Sequence, residues 1–252
     1  MKIAAIQHAI SWVDPAENFA RLAPTLASAR GDGADLIVLP EMFACGFSMN
    51  TEAIAEREDG PTLAFLRERA AALRCWIAGS MPIRTRAAQA RPTNSLFFCG
   101  PDGEQHRYDK IHPFSYAGEH ERYEAGSTRV TFEIHGVRIT PFVCYDLRFA
   151  NEFWERAEET DCYVVVANWP EKRAHHWSAL LRARAIENLA WVVGVNRVGD
   201  GGGLTYNGES AIIDPTGEIV ARNRGGETTL FAEVTRARVM ETRTRFPFLQ
   251  DR

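Results

Sequence analysis

The sequence predicts a mixed α/β fold in which two β-sheets face each other and helices cover the outside. Two observations lead there. Apolar runs rich in Val, Ile and Phe recur along the 252 residues, separated by segments of helical period. Their order is irregular, with helices between some strands and runs of consecutive strands elsewhere, whereas a doubly wound parallel sheet would alternate regularly. No Ser/Gly-rich linker, repeat or low-complexity tract interrupts residues 1–252, so a single domain is expected.

Taken in order, residues 2–8 read as a strand and 15–30 as a helix opened by Asp14 and Pro15. Residues 34–39 (ADLIVL) form a continuous apolar run suited to a strand covered on both faces. Pro61 opens a second helix to about residue 74, followed by strand 75–81. Residues 94–100 and 104–109 read as a hairpin across Pro101-Asp102-Gly103, and 128–135 pairs with 137–144 across Gly136. A helix at 149–159, strand 162–168, helix 174–189 and strand 191–196 come next. The stretches 209–214, 218–222 and 228–234 read as antiparallel strands at the end of a sheet.

Composition narrows the function. At 45% hydrophobic and 25% charged the chain is an ordinary soluble globular protein, and its net charge of -4 without a basic stripe excludes a nucleic-acid partner. The opening MKIAAIQHAI carries too short an apolar stretch for a signal peptide or membrane span, so a cytoplasmic location is expected. Five cysteines, Cys45, Cys75, Cys99, Cys144 and Cys162, include no CxxC pair, and reduced thiols are expected. His112 and His175-His176 lack the spacing and carboxylate company of a metal site, and no metal or cofactor is expected. The Gly199–Gly203 run follows a strand without opening a helix and reads as a flexible loop rather than a phosphate cradle. The arginine-bearing stretch 178–189 reads as an inter-subunit or solvent face.

Three residues stand at strand ends, where α/β folds gather their sites. In LIVLPEMF, Pro40 ends the ladder and Glu41 emerges. In ITPFVCYDLRF, an apolar strand ends at Cys144, whose side chain a strand-to-helix turn exposes beside backbone N–H groups. In RYDKIHPF, Lys110 follows a short strand and is a cation able to hold an oxyanion. Taken singly, each has a plainer reading: a solvated loop glutamate, a core cysteine, a surface lysine. Together their chemistries complement one another as base, nucleophile and oxyanion partner.

These residues sit in LPEMFACGFSMN (39–50), YDKIHPF (108–114), VCYDLRF (143–149), NWPEKRAHHWSALLRARAIEN (168–188) and YNGESAIIDPTGEI (206–219). In that order the segments resemble the nitrilase superfamily of carbon–nitrogen hydrolases, and most of all its ω-amidase branch, which acts on 2-oxoglutaramate and related ω-amides. The resemblance implies a four-layer α-β-β-α sandwich, a homodimer or higher homo-oligomer formed through helices, and a Glu–Lys–Cys triad carried by Glu41, Lys110 and Cys144. It also implies a second site glutamate, for which Glu119 is chosen and Glu121 stays open. Pro113, Cys45 and Ala150 depart from the usual residues, and Pro113 is expected to reshape the loop beside Lys110.

An ω-amide with a distant acid needs a cation to grip it. Arg148 is the first choice and Arg173 the second, because a guanidinium matches a carboxylate bidentately, although a surface ion pair is the plainer reading of either. The backbone of Tyr145 is expected to help hold the oxyanion, and Phe43, Tyr116 and Trp169 to line the pocket. Sister activities stay open, namely a nitrilase or an N-carbamoyl-amino-acid amidohydrolase with the same triad. So does a catalytically silent binding or scaffold protein of this fold.

Overall fold

The computed structural model describes residues 1–84 and 91–251. The chain runs β1 (Lys2–Gln7), α1 (Pro15–Gly31), β2 (Leu36–Val38), α2 (Thr51–Ile54), α3 (Pro61–Leu73), β3 (Trp76–Ile83), β4 (Thr93–Cys99) and β5 (Gln105–Asp109). It continues through α4 (Glu119–Arg122), β6 (Phe132–Ile134), β7 (Val137–Val143), α5 (Ala150–Trp154), β8 (Cys162–Ala167), α6 (Ala174–Asn188) and β9 (Trp191–Asn196). It closes with β10 (Val198–Gly201), β11 (Leu204–Ile213), β12 (Ile219–Arg224), β13 (Thr228–Glu233) and α7 (Arg236–Arg245).

Two sheets result. One has the order β13-β1-β2-β3-β4-β5, parallel across β1, β2 and β3 and antiparallel elsewhere. The other has the order β10-β11-β9-β8-β7-β6, with β12 paired to β11 and parallel pairing across β7, β8 and β9. Alternation along β1 shows why two hydrophobic layers form. Ile3 and Ala5 join Val164, Val166 and Ile139 between the sheets, while Ala4 and Ile6 join Leu22, Leu26, Leu63 and Leu66 beneath α1 and α3. On the far side Trp177, Leu181 and Ala185, spaced four apart on α6, pack on the second sheet. Four layers, α-β-β-α, follow directly.

Helix starts obey local chemistry. Asp14 accepts a hydrogen bond from the Glu17 amide (3.1 Å), and Pro15 occupies the first turn of α1. Several expectations are corrected. The helix expected at 149–159 is only α5 followed by a short 3₁₀ turn at Ala157–Glu159, and the strand expected at 128–135 is only Phe132–Ile134. The Gly199–Gly203 run is no free loop: β10 pairs with β11 as far as Gly201↔Leu204, and Gly202 and Gly203 make the turn. Of the final three strands, β13 leaves the second sheet and caps the first by pairing with β1. Helix α7 carries no apolar stripe beyond the buried Val239 and Thr242, so its periodicity is faint. Among the described residues no helix is long and apolar enough to cross a membrane.

Candidate active site

Glu41, Lys110 and Cys144 each lie just past the end of a strand. Pairing of β2 stops at Val38, Pro40 has no amide hydrogen, and the chain then turns through Met42 at φ +46°. Lys110 follows β5 directly, its amide bonded to Asn94 O on β4 (2.9 Å). Cys144 follows β7 directly at φ +47°, a left-handed conformation that costs a non-glycine residue roughly 1–2 kcal/mol. Such strain persists only where the surroundings fix it, and functional sites are its usual home. Here the 3₁₀ turn Cys144–Arg148 is gripped by Arg184 of α6, which donates to Leu147 O from Nε (3.2 Å) and Nη2 (2.8 Å). The buried Asp146 carboxylate adds a second tie. It accepts from the Val143 amide (3.0 Å), the His112 amide (2.9 Å) and the Tyr108 hydroxyl (2.8 Å), joining the Cys144 turn to the Lys110 loop. Burial pushes the Asp146 carboxyl up to about 6.

The charged centre is fully enclosed. Lys110 Nζ donates to Glu41 Oε1 (3.1 Å) and to Glu119 Oε1 and Oε2 (3.1 and 2.8 Å). Asn94 Nδ2 donates to Glu41 Oε1 (2.8 Å) and Glu119 Oε1 (3.3 Å), and the Asn168 amide to Glu41 Oε2 (2.8 Å). A lone buried carboxylate or ammonium would be very costly, and this network is what makes the charges tolerable. Burial works against the Lys110 ammonium, but the carboxylates of Glu119 and Glu41 outweigh it and hold the amine protonated. Burial first, and then the nearby Glu41 carboxylate, push the Cys144 thiol well above its ordinary range. The resting sulfur is therefore a thiol, with the Glu41 carboxyl group near it.

Of this centre, Cys144 and Asn168 open onto a cavity of about 220 Å³, below the roughly 300–1,000 Å³ of pockets for drug-sized ligands. Among the described residues, Cys144, Tyr145, Asn168 and Trp169 line it, together with two cations, Arg148 and Arg173, and no acidic side chain. Arg148 stacks over Trp169 (4.8 Å to the ring centre), and its Nη2 donates to His176 Nδ1 (3.1 Å). Arg173 lies over Phe114 (5.4 Å). Among the described residues neither guanidinium has a carboxylate partner. Nor does any group of three or more His, Cys, Asp or Glu there form a metal cage.

A family model described as carbon–nitrogen hydrolase matches residues 2–244. The chain belongs to the carbon–nitrogen hydrolase family. It is 41% identical over 254 residues to "Omega-amidase YafV" of Escherichia coli (strain K12), across 100% of this chain and 96% of that one. It is 31% identical to "2-oxoglutaramate amidase" of Bacillus subtilis (strain 168), across 99% of this chain and 96% of the relative. The crystal structure of a CN-hydrolase superfamily protein from Xanthomonas campestris, with an arsenic adduct in its active site, superposes with a TM-score of 0.94. That match has 42% identity and covers 100% of this chain and 97% of the other.

Within this carbon–nitrogen hydrolase the structure gathers Glu41, Lys110, Glu119 and Cys144 at one point and sets Tyr145, Arg148, Trp169 and Arg173 around the cavity. Glu119 is the buried glutamate of its pair, whereas Glu121 is exposed. Two expected lining residues are elsewhere. Phe43 packs against Phe19 and Phe65 under α1 and α3, because strand alternation ends before the turn at Met42 and parity with Glu41 is lost. Tyr116 is 86% exposed and only leans on Phe114, which takes the lining position instead. Trp12, Phe47, Met49, Asn168, Leu204 and Tyr206 line the cavity without having been singled out. The NWP motif pointed toward Asn168. Nothing local marked Trp12, from the segment before α1, or Leu204, the first residue of β11.

Proposed function

We propose that this hydrolase cleaves small ω-amides bearing a distal carboxylate, 2-oxoglutaramate and succinamate among them, to the dicarboxylate and ammonia through a thioester on Cys144. One observation carries the reading: a single small cavity joins Cys144, beside Glu41 and Lys110, to two guanidiniums without carboxylate partners. The likeness to an ω-amidase and a 2-oxoglutaramate amidase over essentially the whole chain supports it.

In this mechanism Glu41 takes the Cys144 proton as Sγ attacks the amide carbon. The carbonyl π electrons move to oxygen, and the oxyanion meets the Lys110 ammonium and the Tyr145 N–H. The C–N bond then breaks, Glu41 returns its proton to the leaving nitrogen, and ammonia departs. Water, deprotonated by Glu41, attacks the thioester; the released sulfur regains a proton and the second carboxylate leaves. Covalent catalysis divides one difficult amide cleavage into two easier steps. Glu119 fixes Lys110 in place through its two short contacts. The pair Arg148 and Arg173 takes the distal carboxylate and, with no acid among the described lining residues, disfavours an α-ammonium such as that of glutamine.

The test is ammonia release across succinamate, 2-oxoglutaramate, glutamine, propionamide, a simple nitrile and an N-carbamoyl amino acid. The reading expects the first two to lead, and fastest turnover of the nitrile or carbamoyl compound would replace it with a sister activity. We also propose one cytoplasmic domain that assembles as a homodimer or higher homo-oligomer. The surface where exposed Ile186 of α6 lies beside Ile219 supports that assembly.

A further inference from the structure

We infer that Trp12 is a specificity-determining wall that sets the largest acyl group the cavity accepts. The inference rests on the amide-hydrolysis reading above and adds to it the residue that limits substrate size.

Trp12 comes from the segment between β1 and α1, far in sequence from the charged centre, yet lines the same cavity as Cys144, Arg148 and Arg173. Exposure marks its depth. Asn168, Trp169 and Tyr206 are buried, while Trp12 and Leu204 are 38% and 40% exposed, so these two form the rim. The indole is wedged among three glycines from two other loops. A Cβ on Gly46 would lie 2.7 Å from the ring, on Gly201 2.9 Å and on Gly202 2.6 Å. Glycine at these points therefore makes the space that the indole fills. The seat is anchored on both sides. The Val13 amide donates to Cys45 O (2.9 Å), tying it to the loop that begins at Glu41. Buried Arg197 donates from Nη2 to Ile10 O (3.1 Å) and Asp200 O (2.9 Å), tying it to the β10–β11 turn.

A large aromatic ring seated this firmly at the rim of a cavity of about 220 Å³ is a fixed boundary. An acyl chain too long for the cavity must bow or project past the arginines, and both need room at the rim. Truncating the ring gives that room while leaving Cys144, Glu41 and Lys110 untouched.

The experiment compares the parent, Trp12→Phe, Trp12→Ala and Leu204→Ala on the ω-monoamides of the four-, five-, six- and eight-carbon dicarboxylic acids. Circular dichroism and thermal midpoints are recorded for each. The expected result is that Trp12→Ala raises kcat/KM for the six- and eight-carbon amides relative to the four-carbon one by at least about tenfold, mainly through KM, the scale of one or two methylenes in an apolar pocket. Trp12→Phe should shift the profile less. Should Trp12→Ala fail to fold, a shift in the same direction by Trp12→Phe and Leu204→Ala supports the rim assignment. An unchanged length profile, or an equal fall at every length, in folded variants overturns it. A parent that hydrolyses none of these amides instead overturns the underlying functional reading.

Discussion

Replacing Arg148 with methionine removes one guanidinium but keeps an unbranched side chain of similar reach. In the parent that guanidinium stacks on Trp169 (4.8 Å) and is held by His176 Nδ1 (3.1 Å), so it is ordered before substrate arrives. Burial, then the neighbouring His175 and Arg148, lower the His176 pKa below its ordinary value, which favours a neutral ring whose Nδ1 accepts. A hydrogen bond to a charged group contributes about 1.5–3 kcal/mol net. Preorganisation places Arg148 at the upper end, because little ordering entropy is lost on binding. Loss of about 2.7 kcal/mol corresponds to a fall of roughly a hundredfold in kcat/KM for succinamate, since each 1.36 kcal/mol is tenfold. Propionamide, which has no acid to grip, should change by less than about threefold, the scatter expected of a neutral contact. Steady-state ammonia release on both substrates reads the two ratios directly. Most of the succinamate loss should appear in KM, because the contact is made in ground and transition states alike. Equal losses on succinamate and propionamide would refute the carboxylate-gripping role.

Two further outcomes follow from burial and charge. Iodoacetamide should label Cys144 first in the native protein, because Cys45, Cys75, Cys99 and Cys162 are buried and Cys144 lines the cavity. Its rate should climb with pH, as the raised thiol must ionise to react; labelling of two cysteines at one rate would contradict the access argument. His8, whose imidazole burial lowers from 6.5 to about 3, supplies a pH dependence of stability. Its folded value lies below its unfolded one, so its contribution is complete above pH 6.5 and is lost as pH falls toward 3. The loss has an upper limit of roughly 5 kcal/mol. Urea midpoints of the parent should therefore fall more steeply than those of His8→Gln across that window, and parallel curves would show that His8 is not responsible.

How much of this could be read in the sequence depended on the range of the cause. Pro40 before Glu41, the apolar strand before Cys144 and the short strand before Lys110 are local events, and the structure brings all three side chains together. The four-apart spacing of Trp177, Leu181 and Ala185 likewise marks α6. Phe43 misled because alternation stops once Met42 adopts a positive φ. Tyr116 and Phe114 are both aromatics on one loop, and Phe114 faces inward through contacts with residues outside that loop, its ring against Tyr145 and beneath Arg173. The glycines at 199–203 carry no strand propensity, yet β11 provides a partner that pairs β10. The capping of β1 by β13 and the seat of Trp12 arise from contacts between residues far apart in the chain, which no local pattern encodes.

The central claim is the covalent role of Cys144, and acid quenching during turnover of succinamate tests it most directly. Peptide mapping by mass spectrometry should find one acyl group on the peptide containing Cys144 and on no other cysteine. Cys144→Ala should show neither adduct nor ammonia release while retaining the parent's circular dichroism. Ammonia release by Cys144→Ala at near the parent rate, with no acylated cysteine in the parent, would contradict the account.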